Sequence, residues 1–443
     1  MLTYGTAIPI VTESFPIPVL DYSANVPPVN AVVSLDLSYY SNDDLDWPDF
    51  HNGLAAGLRI SKGGDEIDSS WIVYNKPDEL DSSHAGFLAA LGLSGHLKKM
   101  IAWHSFHYLT PKHDITSIGL LLGLSAAYLG TMDSKVTKLL CVHIPALLPP
   151  HASELNLSTP TQTACLLGIG LLYMNSLHRR TAEVMLHEIG RFNLTGLDGT
   201  SSTCGESYSL AAGFSLGFIA LGAGDSASGL SDIHIVEVLR QRIHGGKGLR
   251  QDPHVADNDK SKQAMSSALF PQYCDATAPG AMVALSLMFL KTNRFDVAEK
   301  LSIPETSYLL SHLRPDLLLL RIVCKNLILW DDIHPSQDWI ENQIPPFLMA
   351  TMANEMDKEN RNQGSDLDES LRHALYNILA GACLSIGFRF AGSANASAFK
   401  CLLHFMDQFI NISTLGGMII KCISGKFIYN SCCVILLVVI CCI

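Results

Sequence analysis

Small residues recur at a fixed spacing inside six apolar segments of this chain. In each segment a small residue, Gly, Ala or Ser, occupies a first position, denoted i, and also positions i+4 and i+6. Position i+5 is always Leu or Ile, and i+7 is always apolar. Agreement at several offsets in six segments indicates an internal repeat. The eighteen small residues are Gly86, Ala90, Gly92, Gly119, Gly123, Ser125, Ala164, Gly168, Gly170, Ala211, Ser215, Gly217, Gly280, Ala284, Ser286, Gly381, Ser385 and Gly387.

Each segment is predicted to be a helix that is buried on all sides. A glycine inside a helix costs about 1 kcal/mol relative to alanine, so its recurrence needs a structural reason. Positions i and i+4 share one helical face, whereas i+6 lies well round the helix. Small residues there let neighbouring helices approach closely from two directions. Glycine at i+11, found at Gly130, Gly222 and Gly392, predicts a C-cap that ends the helix.

Amphipathic segments follow the apolar ones. Residues 177–191 and 230–245 carry apolar residues at helical spacing on an otherwise polar background. An apolar inner helix followed by an amphipathic outer helix forms an α-α repeat, and such repeats bury their cores by stacking. We therefore predict an all-α fold, an α-α toroid or solenoid, as the helical-repeat domain over residues 79–410.

The repeats are unevenly spaced along the chain. Their first positions lie 33, 45, 47, 69 and 101 residues apart. The wider intervals contain a polar stretch at 245–267 and an acidic stretch at 355–370, both predicted to be loops, and a further helical pair around 307–330.

The two ends differ from this array. Residues 1–78 contain clustered prolines and acids, and short alternating pieces at 31–40 and 71–74 predict strands or extended connectors in a lead-in. Residues 411–443 form an atypical hydrophobic tail. Its apolar run, 432–443, has twelve residues, whereas a membrane helix needs roughly twenty. We interpret the tail as an aberrant end that replaced further repeats; a membrane tail anchor is the alternative.

Composition narrows the function classes. The chain has 443 residues, of which 48% are hydrophobic and 16% charged, with a formal net charge of −12. That charge argues against a nucleic-acid partner, which requires a basic face. None of the 12 cysteines forms a CxxC pair or a Cys/His cluster with zinc-ligand spacing, and we expect a reducing compartment.

The inner segments resemble a known family of repeats. Four segments are similar to the proteasome/cyclosome repeat. They are HAGFLAALGLSGHL (84–97), IGLLLGLSAAYLGTMD (118–133), LNLSTPTQTACLLGIGLLY (155–173) and LYNILAGACLSIGFRFAGSAN (375–395). This repeat occurs in two large subunits of the proteasome base and in the largest subunit of the anaphase-promoting complex. The four segments favour the subunit of the anaphase-promoting complex, and the resemblance covers roughly residues 20–410.

The resemblance implies a function as well as a fold. It implies two concentric rings of helices and a non-catalytic scaffold in a cullin–RING ubiquitin ligase that marks mitotic regulators for degradation. The expected partners are other subunits of that complex, cullin-like and helical-repeat subunits and coactivators, in the nucleus and cytoplasm. No catalytic residue, cofactor, metal, small-molecule substrate, nucleic acid or membrane is expected. The alternative within the class is a scaffold subunit of the proteasome base.

One motif offers an alternative from another class. Gly213, Ser215 and Gly217 match the GxSxG pattern of a serine hydrolase, which requires a strand before the serine, a helix after it, and Asp and His partners. Here the motif lies in register with the repeat, so we predict a buried helix.

Two further groups of residues invite a chemical interpretation. His104, His107 and His113 suggest a metal site, because imidazole suits zinc and copper, but no further ligand follows at convincing spacing. We predict packed or surface histidines. The loop at 243–252 contains Lys247 and Arg250 but lacks the GxxxxGK[ST] layout of a phosphate loop. We predict a solvated insertion.

Overall fold

A computed structural model describes most of the chain. The described residues are 7, 9, 12–26, 29–60, 67–100, 102–148, 158–191, 201–227, 229–244, 276–306, 310, 313–349 and 366–415. Most of them are helical, and the fold is an all-α repeat array preceded by a small sheet. The chain divides into two compact units, Met1–Ser176 and Leu177–Ile443.

The first unit begins with a β-hairpin and continues as stacked helices. Strands β1 (Ser23–Val26) and β2 (Ala31–Ser34) pair antiparallel, with Ser23 opposite Ser34. The helices that follow are α1 (Asn42–Leu58), α2 (Ser69–Tyr74), α3 (Ser82–Leu93), α4 (Ala102–Leu109), α5 (Asp114–Ala127), α6 (Ser134–Cys141) and α7 (Thr159–Leu172). The inner helices α1, α3, α5 and α7 pack on one another in that order.

Local signals explain where these helices begin. The Asp81 carboxylate accepts from the His84 amide at 2.6 Å at the start of α3. Asp133 accepts from two amides of α6, and Ser158 caps α7, whose second residue is Pro160. Such side chains satisfy amides that have no partner inside the helix. The inner helices α3, α5 and α7 are buried almost throughout, whereas the outer helix α6 buries only Val136 and Leu140.

The second unit repeats this alternation with longer intervals. Its described helices are α8 (Arg179–Ile189), α9 (Ser201–Ile219), α10 (Ile235–His244), α11 (276–288), α12 (Phe295–Ala298), α13 (Pro315–Ile328), α14 (Gln337–Glu341), α15 (346–349), α16 (Asp366–Phe390) and α17 (Ala396–Leu415). The inner helices are α9, α11, α13 and α16. The predicted amphipathic segments at 177–191 and 230–245 contain the outer helices α8 and α10. Within the described residues, no helix combines the length and apolarity needed to cross a membrane.

Two local predictions are wrong. Residues 71–74, predicted as extended, lie in α2. Its N-cap is Asp68, whose carboxylate accepts from the Trp71 amide at 2.8 Å, and the adjacent residues Trp71 and Ile72 are both buried, which strand alternation does not allow. The predicted loop at 355–370 overlaps the start of α16 at Asp366. At 31–40, only Ala31–Ser34 is a strand. The predicted loop at 245–267 lies outside the described residues, as does most of the hydrophobic tail.

A buried histidine ties inner and outer helices together in the first unit. His84 of α3 stacks on Tyr108 of α4 with ring centroids 5.7 Å apart. Its Nε2 lies 3.3 Å from the Tyr108 hydroxyl, which donates to the Ile72 carbonyl of α2. Burial lowers the pKa of His84 to about 4, opposed by nearby Asp81 and reinforced by Lys76. His84 is therefore neutral in the folded protein near pH 7.

This burial predicts a loss of stability in mild acid. Below the ordinary pKa of 6.5, the unfolded chain binds a proton that the folded state resists until about pH 4. The contribution of neutral His84 to the free energy of unfolding is therefore fully present above pH 6.5 and is lost as pH falls toward 4. We expect His84 to reduce the free energy of unfolding by about 3 kcal/mol between pH 7 and pH 4. Urea unfolding of the wild type and His84→Leu across this range measures it. Parallel pH profiles for the two proteins would contradict the assignment.

Candidate functional site

The candidate site is the contact between consecutive inner helices, here named the inter-repeat junction. Its first part joins position i+6 of one inner helix to position i+4 of the next. A Cβ added to Gly57 would lie 2.6 Å from the Ala90 Cβ, and one added to Gly92 would lie 2.2 Å from the Gly123 carbonyl oxygen. Between α5 and α7, a Cβ on Gly168 would lie 2.5 Å from Ser125 Oγ. The same pair of positions therefore meets at three successive junctions of the first unit.

Position i brings the main chains themselves together. A Cβ added to Gly86 would lie 1.8 Å from the carbonyl oxygen of Phe50 in the preceding inner helix. For Gly119 and the Ala85 carbonyl oxygen the distance is 2.2 Å. In the second unit, Gly280 would place a Cβ 2.3 Å from the carbonyl oxygen of Ser209. No side chain fits in these contacts, so glycine sets the separation of the helices.

At two junctions of the second unit, α11 with α13 and α13 with α16, polar side chains form the same contact. The hydroxyl of Ser286, which donates to the Val283 carbonyl at 2.9 Å, lies beside the thiol of Cys324. The Asn326 amide donates to Ser385 Oγ at 3.1 Å, and Ser385 in turn donates to the Gly381 carbonyl at 2.8 Å. These groups are buried. Burial raises the pKa of the Cys324 thiol to about 12, which makes it an unreactive packing group.

The register of these contacts identifies two inner helices that the sequence pattern missed. Position i is His51 in α1 and Leu320 in α13, because Gly57 and Asn326 then occupy i+6. In α1 the available signal was Gly53, four residues before Gly57; a Cβ on Gly53 would lie 1.7 Å from the Ser83 carbonyl oxygen. In α13 the residues at i, i+4 and i+6 are Leu320, Cys324 and Asn326. The helical pair predicted around 307–330 contains α13, but the small-residue pattern did not identify it as an inner helix.

The second part of the junction is a turn after the inner helix. The turn residues at i+11 and i+13 have positive φ. They are Gly130 (67°) and Met132 (52°) after α5, Gly222 (63°) and Gly224 (51°) after α9, and Lys291 (58°) and Asn293 (53°) after α11. Amides of these residues donate to carbonyls at i+7 and i+8 of the next inner helix. The five bonds, of 2.9–3.1 Å, join Gly130 to Leu171, Met132 to Leu172, Gly222 to Leu287, Lys291 to Leu327 and Asn293 to Ile328.

Three of these bonds, to the carbonyls of Leu172, Leu327 and Ile328, satisfy groups that the helix alone leaves unpaired, whereas the carbonyls of Leu171 and Leu287 also accept from the amides of Met174 and Leu290 at 3.3 Å. The last four carbonyls of a helix have no partner within it, and a buried carbonyl without a partner is costly. Each turn therefore completes the end of the next helix and fixes its position along the stack. The predicted C-cap glycines have the expected positive φ, but at Met132, Lys291 and Asn293 other residues adopt it. Positive φ at a residue other than glycine costs of order 1 kcal/mol and persists where surrounding contacts enforce it.

All eighteen predicted repeat positions lie on inner helices. Seventeen are buried. They do not converge on one cavity but are distributed over six inner helices, three to each helix. Gly387, in the last described inner helix, is only half-buried, and no described atom lies within 4 Å of a Cβ added there.

The structure places Ser215 in the interior of α9. Its hydroxyl donates to the Ala211 carbonyl at 2.8 Å, and the residue is fully buried. A Cβ added to Gly213 would lie 2.1 Å from the Gly280 carbonyl oxygen. The serine is therefore preceded by helix and its hydroxyl is buried, whereas a nucleophile elbow needs a strand before the serine and an exposed hydroxyl.

The three clustered histidines have separate structural partners. His104 contacts the Ser69 hydroxyl, and His107 Nδ1 lies 3.2 Å from the Trp103 carbonyl oxygen. His113 caps α5. The rings of His104 and His107 lie 6.5 Å apart. Among the described residues no group of His, Cys, Asp and Glu could hold a metal ion. Lys247 and Arg250 lie outside the described residues.

Comparison with known proteins identifies relatives along the whole chain. A family model described as APC1 fourth domain matches residues 1–129, and one described as APC1 fifth domain matches residues 134–443. Anaphase-promoting complex subunit 1 of Schizosaccharomyces pombe is 44% identical over 415 residues, which is 94% of this chain and 26% of the relative. The human protein of the same name is 44% identical over 423 residues, 93% of this chain and 21% of its own length.

A third relative has a different name. "Negative regulator of mitosis" of Emericella nidulans is 44% identical over 416 residues, covering 94% of this chain and 19% of that protein. The chain thus spans about a fifth to a quarter of the length of these relatives.

The junction predicts opposite effects for two glycine substitutions. Gly86→Ala forces a Cβ against the Phe50 carbonyl, and overpacking of this kind lowers the free energy of unfolding by about 1–3 kcal/mol. Gly205→Ala in α9, where no described atom lies within 4 Å, should raise it by about 0.5–1 kcal/mol, because alanine favours the helix. Urea unfolding measures both. Equal effects at the two glycines would show that α1 and α3 do not pack through their main chains.

The buried position of Ser215 predicts that it does not react. A fluorophosphonate probe should label neither the folded wild-type protein nor Ser215→Ala. Intact mass spectrometry measures the labelling, with a known serine hydrolase as the positive control. Stoichiometric labelling that is lost only in Ser215→Ala would instead support the hydrolase alternative.

Proposed function

Because this chain belongs to the APC1 family, we propose that it is a non-catalytic scaffold of the anaphase-promoting complex, a ubiquitin ligase of the cell cycle. Its relatives are named as subunits of that complex, and one is named as a regulator of mitosis. In this proposal the chain contributes a rigid stack of helices to the assembly. Ubiquitin transfer belongs to other subunits, and the chain acts in the nucleus and cytoplasm.

The inter-repeat junction carries this proposal. A scaffold must hold distant binding surfaces at fixed positions, and main-chain contact between helices leaves little freedom for them to slide. Serine, asparagine and cysteine side chains, which could serve in a catalytic site, pack here at or near this contact. Ser215 and Ser385 donate to carbonyls of their own helices, and Asn326 donates to Ser385. The Cys324 thiol is buried beside Ser286.

The distribution of polar groups also supports a binding role. The outer helix α8 places ion pairs on its surface, where Arg179 pairs with Glu183 at 2.9 Å and with Asp232 at 2.7 Å. Arg294 pairs with Asp296 at 2.8 Å in the same unit. Exposed pairs of this kind contribute little to stability. They present patterned charge that other subunits would recognise, since complementary charge chiefly provides specificity.

Co-purification tests the proposal. A tagged copy of this chain, expressed in dividing cells, should recover cullin-like and helical-repeat subunits of the anaphase-promoting complex, measured by quantitative mass spectrometry. Gly119→Leu, which places a side chain against the Ala85 carbonyl, should reduce recovery at least several-fold. Gly205→Leu is the matched control and should leave recovery unchanged.

Three outcomes would count against the scaffold. Recovery of proteasome base subunits in place of the ligase would favour the alternative within the repeat family. Equal recovery by the wild type and Gly119→Leu would show that partner binding does not depend on the stack. Absence of ligase subunits from all three samples, with the proteins folded, would reject the proposal.

A further inference from the structure

The outer helix α4 presents two large aromatic side chains to solvent. Trp103 is 66% exposed and Phe106 is 53% exposed. They lie three residues apart, so they share one face of the helix. In the outer helices α6, α8 and α10, by contrast, every exposed residue is polar or charged. Large apolar side chains exposed together mark a site of interaction, and tryptophan is prominent among the residues that carry binding energy at interfaces.

The other face of α4 holds this helix against its neighbours. Tyr108 is fully buried, stacks on His84 of α3 and donates to the Ile72 carbonyl of α2 at 3.3 Å. On the exposed face, His107 Nδ1 lies 3.2 Å from the Trp103 carbonyl oxygen, and the two rings meet edge to face with centroids 5.3 Å apart. The aromatic face is therefore held in place before any partner arrives, which lowers the entropic cost of binding.

Lysines lie at both ends of this aromatic face. Lys98 and Lys99 end the short 3-10 helix that precedes α4, and Lys112 lies in the turn that follows it. The Tyr128 hydroxyl donates to the Lys98 carbonyl at 3.2 Å, which fixes the main chain there. Residues 82–113 contain these three lysines and no Asp or Glu, although the whole chain has a net charge of −12. This segment is therefore basic within an acidic protein.

Charge and size together indicate the chemistry of the partner. Carboxylates complement the lysines, and an apolar side chain complements the aromatic rings. The eight residues of α4 span about 12 Å, which an extended peptide covers with about four residues. One short peptide therefore reaches both rings and the lysines at either end. A nucleic acid fits less well, because it requires a larger basic surface and is repelled by the net negative charge of the chain.

We propose that the exposed face of α4 binds a short acidic segment of a partner protein. In this complex an apolar side chain of the segment packs against Trp103 and Phe106, and carboxylates on either side of it pair with Lys98 and Lys112. That the partner is another subunit rests on the scaffold function proposed above. Peptide binding is measured without that assembly, so the docking surface and the scaffold function can fail separately.

A peptide-binding measurement tests the docking surface. The probe is a fluorescein-labelled peptide of about ten residues, in which glutamates flank two leucines, and the matched peptide has lysine in place of every glutamate. Fluorescence anisotropy with the full chain should show saturable binding of the acidic peptide only, weakened by added salt. Trp103→Ala and Phe106→Ala should each weaken binding about tenfold, and Lys112→Glu several-fold. Phe295→Ala, which removes a phenylalanine that is 64% exposed in the second unit, is the matched control and should leave binding unchanged.

The variants are compared at equal stability. Unchanged midpoints of thermal unfolding would show that the weaker binding reflects lost contacts. Equal binding of the two peptides, or no saturable binding of the acidic one at about 1 mM, would overturn the proposal. Binding of a single-stranded oligonucleotide that is tighter than peptide binding and lost in Trp103→Ala would also overturn it and would assign the face to nucleic acid.

Photo-crosslinking identifies the partner in dividing cells. With Phe106 replaced by p-benzoylphenylalanine, the cross-linked segment should contain more Asp and Glu than Lys and Arg, and Lys112→Glu should abolish the cross-link. Basic or neutral segments, a second copy of this chain, or no cross-link would overturn the proposal. An acidic segment from a protein outside the ligase would support the docking surface and contradict the scaffold function.

Discussion

Main-chain contact between consecutive inner helices is the constraint on which this structure depends. At Gly86, Gly119 and Gly280, the space for a Cβ is already taken by a carbonyl oxygen of the preceding helix. The contact excludes every side chain at these positions and fixes the distance between helices. Burial of the apolar residues around it then supplies the favourable free energy that offsets the unfavourable helix propensity of glycine.

The turn complements this contact by fixing position along the helix axis. Glycines determine how close two helices lie, whereas the amides at i+11 and i+13 determine how far one is displaced along the other. The two devices are chemically independent, because one depends on the absence of a side chain and the other on the direction of main-chain amides. Together they specify a relative placement that hydrophobic burial alone, being non-directional, leaves open.

The sequence identifies the inner helices whose repeat positions are all Gly, Ala or Ser, and does not identify those in which other side chains fill some of these positions. Six inner helices were identified from Gly, Ala and Ser. The helical pair predicted around 307–330 contains α13, but its role as an inner helix was not predicted. Leu320, Cys324 and Asn326 fill the repeat positions there, with a hydrogen bond from Asn326 to Ser385 in place of a glycine contact. Positive φ at Met132 and Lys291 was unpredictable, since tertiary hydrogen bonds and not residue type impose it. The GxSxG motif arose from the same demand for small residues.

The direct contact at Gly86 also decides how a disturbance travels. Flexible side chains at an interface absorb a displacement by changing rotamer, but a carbonyl oxygen against a glycine has no such compliance. A displacement of α3 relative to α1 therefore also displaces α5 and α7, which pack on α3 in sequence. Under the scaffold function proposed above, a substitution within one unit should therefore change the spacing of helices that lie several repeats away from it.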